Sequence, residues 1–195
     1  MCRITIKNFK SFYSREWGEG GAYSCDIYFD GTKQGFFYQA GDGGCFDYEP
    51  LNYKNYISQK DLSEYARKYF KSNELARNLI GITLKDCEKK FIVDLESVVL
   101  MYDALKREKK NYKNLLKKEY HFFVLCTPKP VDLPNTNYET PRLIGSKMNI
   151  NIESIKAFLK SKGTEPEKYN YFCFEDFKEI EMLIQKDNEN EWTKC

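Results

Sequence analysis

The 195-residue sequence predicts an α+β fold in one domain, with an N-terminal antiparallel β-meander, a central helical hairpin and a C-terminal β-loop-α-β-α part. Three observations predict it. Residues alternate with period two through the first forty positions, apolar residues recur every three or four positions from Lys60 to Lys118, and a run apolar on both faces follows from Tyr120. Within residues 1–195 these parts divide the chain into lobes at 1–58, 59–118 and 119–195.

In the first lobe, Cys2, Ile4 and Ile6 alternate with Arg3, Thr5 and Lys7, and Tyr23, Cys25, Ile27 and Phe29 alternate with polar or half-polar neighbours. That is the pattern of strands with one wet face. Asp30-Gly31 then precedes the Gly35-Phe36-Phe37-Tyr38 run, and an Asp-Gly pair between two such segments is a hairpin signal. Glycine clusters at Gly18–Gly21 and Gly41–Gly44 link the strands.

In the second lobe, Leu62, Tyr65, Ala66, Tyr69, Phe70, Ala76, Leu79 and Ile80 form one amphipathic helix, with Gly81 placed to cap it. Leu95, Val98, Tyr102, Leu105, Tyr112 and Leu116 give a second, from about Asp94 to Lys118. Asp86, three residues after Thr83, also offers an earlier start through a capping box.

Past Lys118, the run Tyr120–Cys126 reads as a strand covered on both faces. Pro128, Pro130, Pro134 and Pro141 then predict a long loop. A short helix around Ile152–Leu159, a strand over Tyr169–Phe174 and a helix over Phe177–Ile184 complete the chain before an acidic tail.

Composition limits the chemistry. Lys+Arg 31 against Asp+Glu 29 leaves +2, so any attraction to nucleic acid or anionic membrane must be local. No apolar run nears the roughly 18 residues of a membrane helix, and the N-terminus lacks a signal-peptide core, which predicts a cytoplasmic protein with no membrane partner. Seven scattered cysteines and one histidine give neither a disulfide framework nor a zinc motif, so the thiols are expected free, and no metal or cofactor is expected. The glycine clusters match neither a Walker loop nor a dinucleotide fingerprint. His121 is the lone imidazole, and its position beside a strand reads as a partnered structural histidine; no catalytic residue is assigned.

Three regions are candidate binding sites. Phe46, Tyr48 and Tyr53 follow the second glycine cluster and offer an aromatic-lined pocket. Asn137 and Tyr138 stand in the proline-rich loop, where contact residues are displayed without weakening a core. Lys106, Arg107, Lys109, Lys110 and Lys113, continued by Lys117 and Lys118, face a single acid, Glu108, and with Tyr112 present could contact a nucleic-acid backbone and bases. An opposite run between Glu175 and Glu191 could balance them within one molecule or across a homodimer.

The opening strand, the Tyr23–Phe37 hairpin with its D-G-T-K-Q-G turn and the G-D-G-G loop together resemble small uncharacterised bacteriophage and prophage accessory proteins. The resemblance covers about a quarter of the chain and brings no catalytic residues. It implies a viral protein in the bacterial cytosol, where counter-defence factors such as anti-CRISPR inhibitors act. The expected function is accordingly a non-enzymatic inhibitor of a bacterial defence system that binds a host protein or defence complex. A sponge for a small nucleotide signal and a nucleic-acid-binding accessory protein are the alternatives.

Overall fold

The structure is a computed structural model, and it describes residues 3–12, 22–41, 45–54, 56–89, 92–129, 141–148 and 151–185. Among these, the first lobe is a meander of four antiparallel strands in the order β1-β2-β3-β4, namely β1 (Ile4–Phe12), β2 (Ala22–Phe29), β3 (Thr32–Gln39) and β4 (Asp47–Pro50). The Asp-Gly hairpin forms as predicted. Asp30 and Gly31 both take positive φ, 48° and 78°, which is the backbone of the type I′ turn whose twist matches the strands it joins. Arg3 fixes the turn from below: its Nε donates to the Asp30 carboxylate at 2.9 Å while its guanidinium lies 4.4 Å from the Phe29 ring centroid. That bonding holds the Asp30 carboxyl below its ordinary range. Ile4, Cys25, Ile27, Phe29 and Phe37 are buried on the inner face.

The helical lobe comprises α1 (Gln59–Ser72), α2 (Glu74–Ile80) and α3 (Leu95–Leu116). Gly81 ends α2 in the left-handed region at φ 68°, where its lack of a Cβ is needed. The single helix expected up to Ile80 is in fact two, because Asn73 leaves the helical region (φ −117°, ψ 99°). The break is stabilised from both sides. Asn73 Oδ1 accepts the Ala76 N–H at 2.9 Å and so caps α2, and Nδ2 donates to the Leu183 carbonyl at 3.0 Å. The Thr83–Asp86 box also forms, with the Thr83 N–H donating to Asp86 at 2.8 Å, but it caps only a single 3₁₀ turn. Asp94 is the N-cap of α3, with its side chain and that of Ser97 bonded reciprocally to backbone N–H groups.

The third lobe holds β5 (Phe122–Pro128), β6 (Arg142–Ser146), α4 (Ile152–Ser161), β7 (Tyr169–Phe174) and α5 (Phe177–Gln185), and its strands form an antiparallel sheet in the order β6-β5-β7. The central strand β5 is covered on both faces. Phe123 and Leu125 enter the main core with Phe174, Phe177 and Ile180; Val124 and Cys126 meet Ile155 and Leu159 of α4. β6 lies inside the stretch expected to be loop. His121 is exposed rather than buried beside the strand; its backbone N–H donates to the Ser146 carbonyl at 2.9 Å.

The helices α1 to α3 lie between the two sheets: α3 touches β1 and β6, α1 touches β1, and α2 touches β5 and α5. One apolar cluster accordingly joins Ile4, Leu62, Leu75, Val98, Phe123 and Ile180, each side chain contributing about 1.5–3 kcal/mol on burial. The α+β class and the order of meander, helical hairpin and mixed part are as the sequence predicts. No helix among the described residues is long and apolar enough to cross a membrane.

Candidate functional site

The three aromatics after the glycine loop part company. β4 pairs with β3 so that Tyr48 lies opposite the buried Phe37, and Phe46 stacks on the same Phe37 ring at 4.7 Å. Both therefore turn inward, while Tyr53 is 75% exposed with Tyr56 beside it. Asn137 and Tyr138 lie outside the described residues.

The basic run lies on α3, and part of it is engaged within the molecule. Lys109 pairs with Glu181 of α5 at 2.5 Å, Arg107 with Asp103 at 3.4 Å, and Lys106 Nζ reaches the Phe9 carbonyl at 3.3 Å. Lys110 and Lys113 are exposed. Tyr112 faces away from solvent, with its ring 4.6 Å from that of Phe123, so it offers no stacking surface to a base.

Glu108, the acid within this run, is buried, and Asn111 Nδ2 donates to it at 3.3 Å. Burial pushes its carboxyl above the ordinary range. On raising the pH the unfolded chain then ionises before the folded one, so Glu108 opposes folding increasingly above about pH 4.5 and has no effect below that. Glu108→Gln is expected to stabilise the fold by about 1 kcal/mol at pH 7 and not at pH 4, as read from urea midpoints at the two values. Equal midpoint shifts at both pH values would exclude this role.

The largest concavity was visible in sequence only through Phe46. It is a groove of about 1250 Å³ along α1. Lys60, Glu64, Arg67, Lys68 and Lys71 rise along the helix on one side, Glu88, Asp94 and Glu96 come from the approach to α3 and its first turn, and Phe46, Cys45 and Cys87 supply the apolar part. Four cations and four acids thus face a common space. The polar face of an amphipathic helix is legible in sequence; that this face overhangs a second acidic wall is a tertiary property.

The groups that could do chemistry there are held by the fold. Glu96 accepts the Tyr23 hydroxyl, and Gln39 Nε2 reaches the same oxygen at 3.5 Å. Burial, followed by that carboxylate, pushes the Tyr23 hydroxyl far up. Asp94 accepts the backbone N–H groups of Glu96 and Ser97 at 2.9 and 3.4 Å, and burial raises its carboxyl. Ser63 Oγ accepts the Leu95 N–H at 3.3 Å, and Cys87 is a buried thiol that burial pushes up. Among the described residues, no group of three His, Cys, Asp or Glu side chains could hold a metal ion. No protein-family model matches this chain, and no curated protein or solved structure matches it.

Proposed function

We propose that the protein is a non-enzymatic binding protein that takes a segment of a partner polypeptide into the groove along α1. One observation carries the reading: the groove is both charge-balanced and large. At about 1250 Å³ it exceeds the roughly 300–1,000 Å³ of small-molecule sites, and its four acids oppose a phosphate as strongly as its four cations attract one. A peptide bearing both signs of charge fits such walls, with an apolar residue against Phe46. The engaged states of Glu96, Asp94, Ser63 and Cys87 favour recognition over catalysis. The resemblance to phage accessory proteins puts the partner among host defence proteins, with the inhibitor acting by occupying a contact surface.

The test is plaque formation on bacteria that carry defined defence systems, CRISPR effectors and nucleotide-signalling systems included, and express this chain. The wild type is expected to protect the phage against one system. The folded double variant Arg67→Glu, Lys71→Glu should lose that protection, since anchors worth about 2 kcal/mol weaken binding about 30-fold. Lys110→Glu, Lys113→Glu should retain it. Protection that survives the groove variant overturns the site, and absence of protection against every system overturns the defence role. Calorimetric binding of a cyclic dinucleotide that the groove variant abolishes would favour the sponge.

A further inference from the structure

The outer face of the meander has a pattern that the groove reading does not use. The strand register aligns its residues in rows across the sheet. One row reads Lys7, Asp26, Phe36, Glu49 from β1 to β4, and the next reads Lys10, Ser24, Tyr38, Asp47. Each row begins with a cation and ends with an acid, and all four of these charged residues are exposed. They stand three strand spacings apart, about 14 Å, too far to pair with each other across their own sheet.

The relief of the face is as ordered as its charge. Phe36 and Tyr38 stand out from β3 at 40% and 44% exposure, whereas Ser24 and Asp26 on β2 are both sunk to 8%. Asp26 presents little net charge, since Lys33 Nζ pairs with it at 2.8 Å and Asn8 donates to it at 2.7 Å. The face is therefore a ridge of aromatics beside a shallow furrow, between a basic and an acidic edge.

We propose that this face is a homodimer interface, with a two-fold axis lying between two stacked sheets and running along the strands. Rotation about that axis preserves height along the strand and reverses the strand order. It sets Lys7 and Lys10 of one copy opposite Glu49 and Asp47 of the other, and the Phe36–Tyr38 ridge over the second copy's Ser24–Asp26 furrow. Charge and shape are both satisfied by the one operation, as an isologous contact requires. A two-fold axis across the strands would instead lay β1 on β1, lysine against lysine. Sheets stacked in the favoured orientation pack about 10 Å apart, within reach of these side chains. Four strands of this length cover about 500 Å² per copy, which is at the small end of specific interfaces and predicts a dimer of micromolar affinity.

Sedimentation equilibrium from about 1 to 300 µM tests this. The wild type should pass from monomer to dimer across that range. Lys7→Glu, Lys10→Glu and, separately, Asp47→Lys, Glu49→Lys should each weaken self-association by about 100-fold, with unchanged circular dichroism. Their equimolar mixture should dimerise again, because each reversed edge then meets its complement. Phe36→Arg, which leaves every edge charge in place, should also be monomeric. A wild type that stays monomeric at 300 µM overturns the proposal, as do charge-reversed variants that associate normally or a mixture that does not recover. Saturable binding of single-stranded oligothymidine by a monomeric wild type, lost in Phe36→Ala, assigns the face to nucleic acid and overturns it too. None of these outcomes depends on the groove, so failure here leaves the proposed function standing.

Discussion

Asn73→Ala is expected to destabilise the fold by about 2–3 kcal/mol, an effect that no inspection of the α1–α2 segment alone would anticipate. Two losses combine. Removing the acceptor for the Ala76 N–H deletes the N-cap of α2, a change worth about 1 kcal/mol. Removing the donor leaves the Leu183 carbonyl at the end of α5 without that partner, at a cost of about 1–3 kcal/mol in a buried setting. The neighbouring Ile184 carbonyl is less affected, because the Tyr69 hydroxyl also donates to it at 2.6 Å. Asn73→Asp separates the two contributions. Aspartate caps a helix as well as asparagine does, yet it has no N–H to donate and sets a carboxylate against carbonyl oxygens. It should therefore be no better than alanine in urea denaturation at pH 7. An Asn73→Asp protein as stable as wild type would show that capping alone matters.

The same residue marks where sequence reasoning stops. The Asp30–Gly31 hairpin, the Gly81 helix end and the Tyr169–Phe174 strand were legible because the chemistry deciding each lies within a few residues. The periodicity of Tyr69, Phe70, Ala76 and Leu79 passes through Asn73 unbroken, since the carbonyls that hold it are 110 and 111 residues away. β6 was missed for a related reason: Arg142–Ser146 alternates weakly, and pairing with β5 makes it a strand. Among the candidate site residues, the parity of Phe46 and Tyr48 with the inward face could have been read from the alternation. The partners of Lys106 and Lys109 could not, because Phe9 and Glu181 approach α3 from opposite ends of the chain. The groove was illegible as a groove, because charges recurring along α1 look the same whether they border a cleft or open solvent.

Gly35→Ala should detach β4 and remove both proposed surfaces at once. A Cβ at Gly35 would lie 2.3 Å from the Glu49 carbonyl oxygen, 2.8 Å from the edge of the Tyr48 ring and 3.0 Å from the Pro50 Cα. Two of these three are backbone atoms of the paired strand, so no change of rotamer relieves the clash. β4 has to retreat, although Gly35 is in register with Pro50 and the Leu51 N–H donates to the Gln34 carbonyl at 2.7 Å. Overpacking of this kind costs about 3 kcal/mol. The cost is concentrated at the sheet edge, where β4 is the terminal strand, so local opening is expected in preference to global unfolding. Amide exchange over Asp47–Pro50 should accelerate about 100-fold, while protection in β2 and in α3 stays near wild type. Functionally, Asp47 and Glu49 leave the acidic edge of the outer face, and Phe46 loses its stacked position on Phe37 at the groove. Self-association and partner binding should then both fall in a protein whose core is intact, whereas Phe36→Arg affects the first alone and Arg67→Glu, Lys71→Glu the second alone. Wild-type exchange over Asp47–Pro50 in Gly35→Ala would mean that the close approach of β3 and β4 is not what positions either surface.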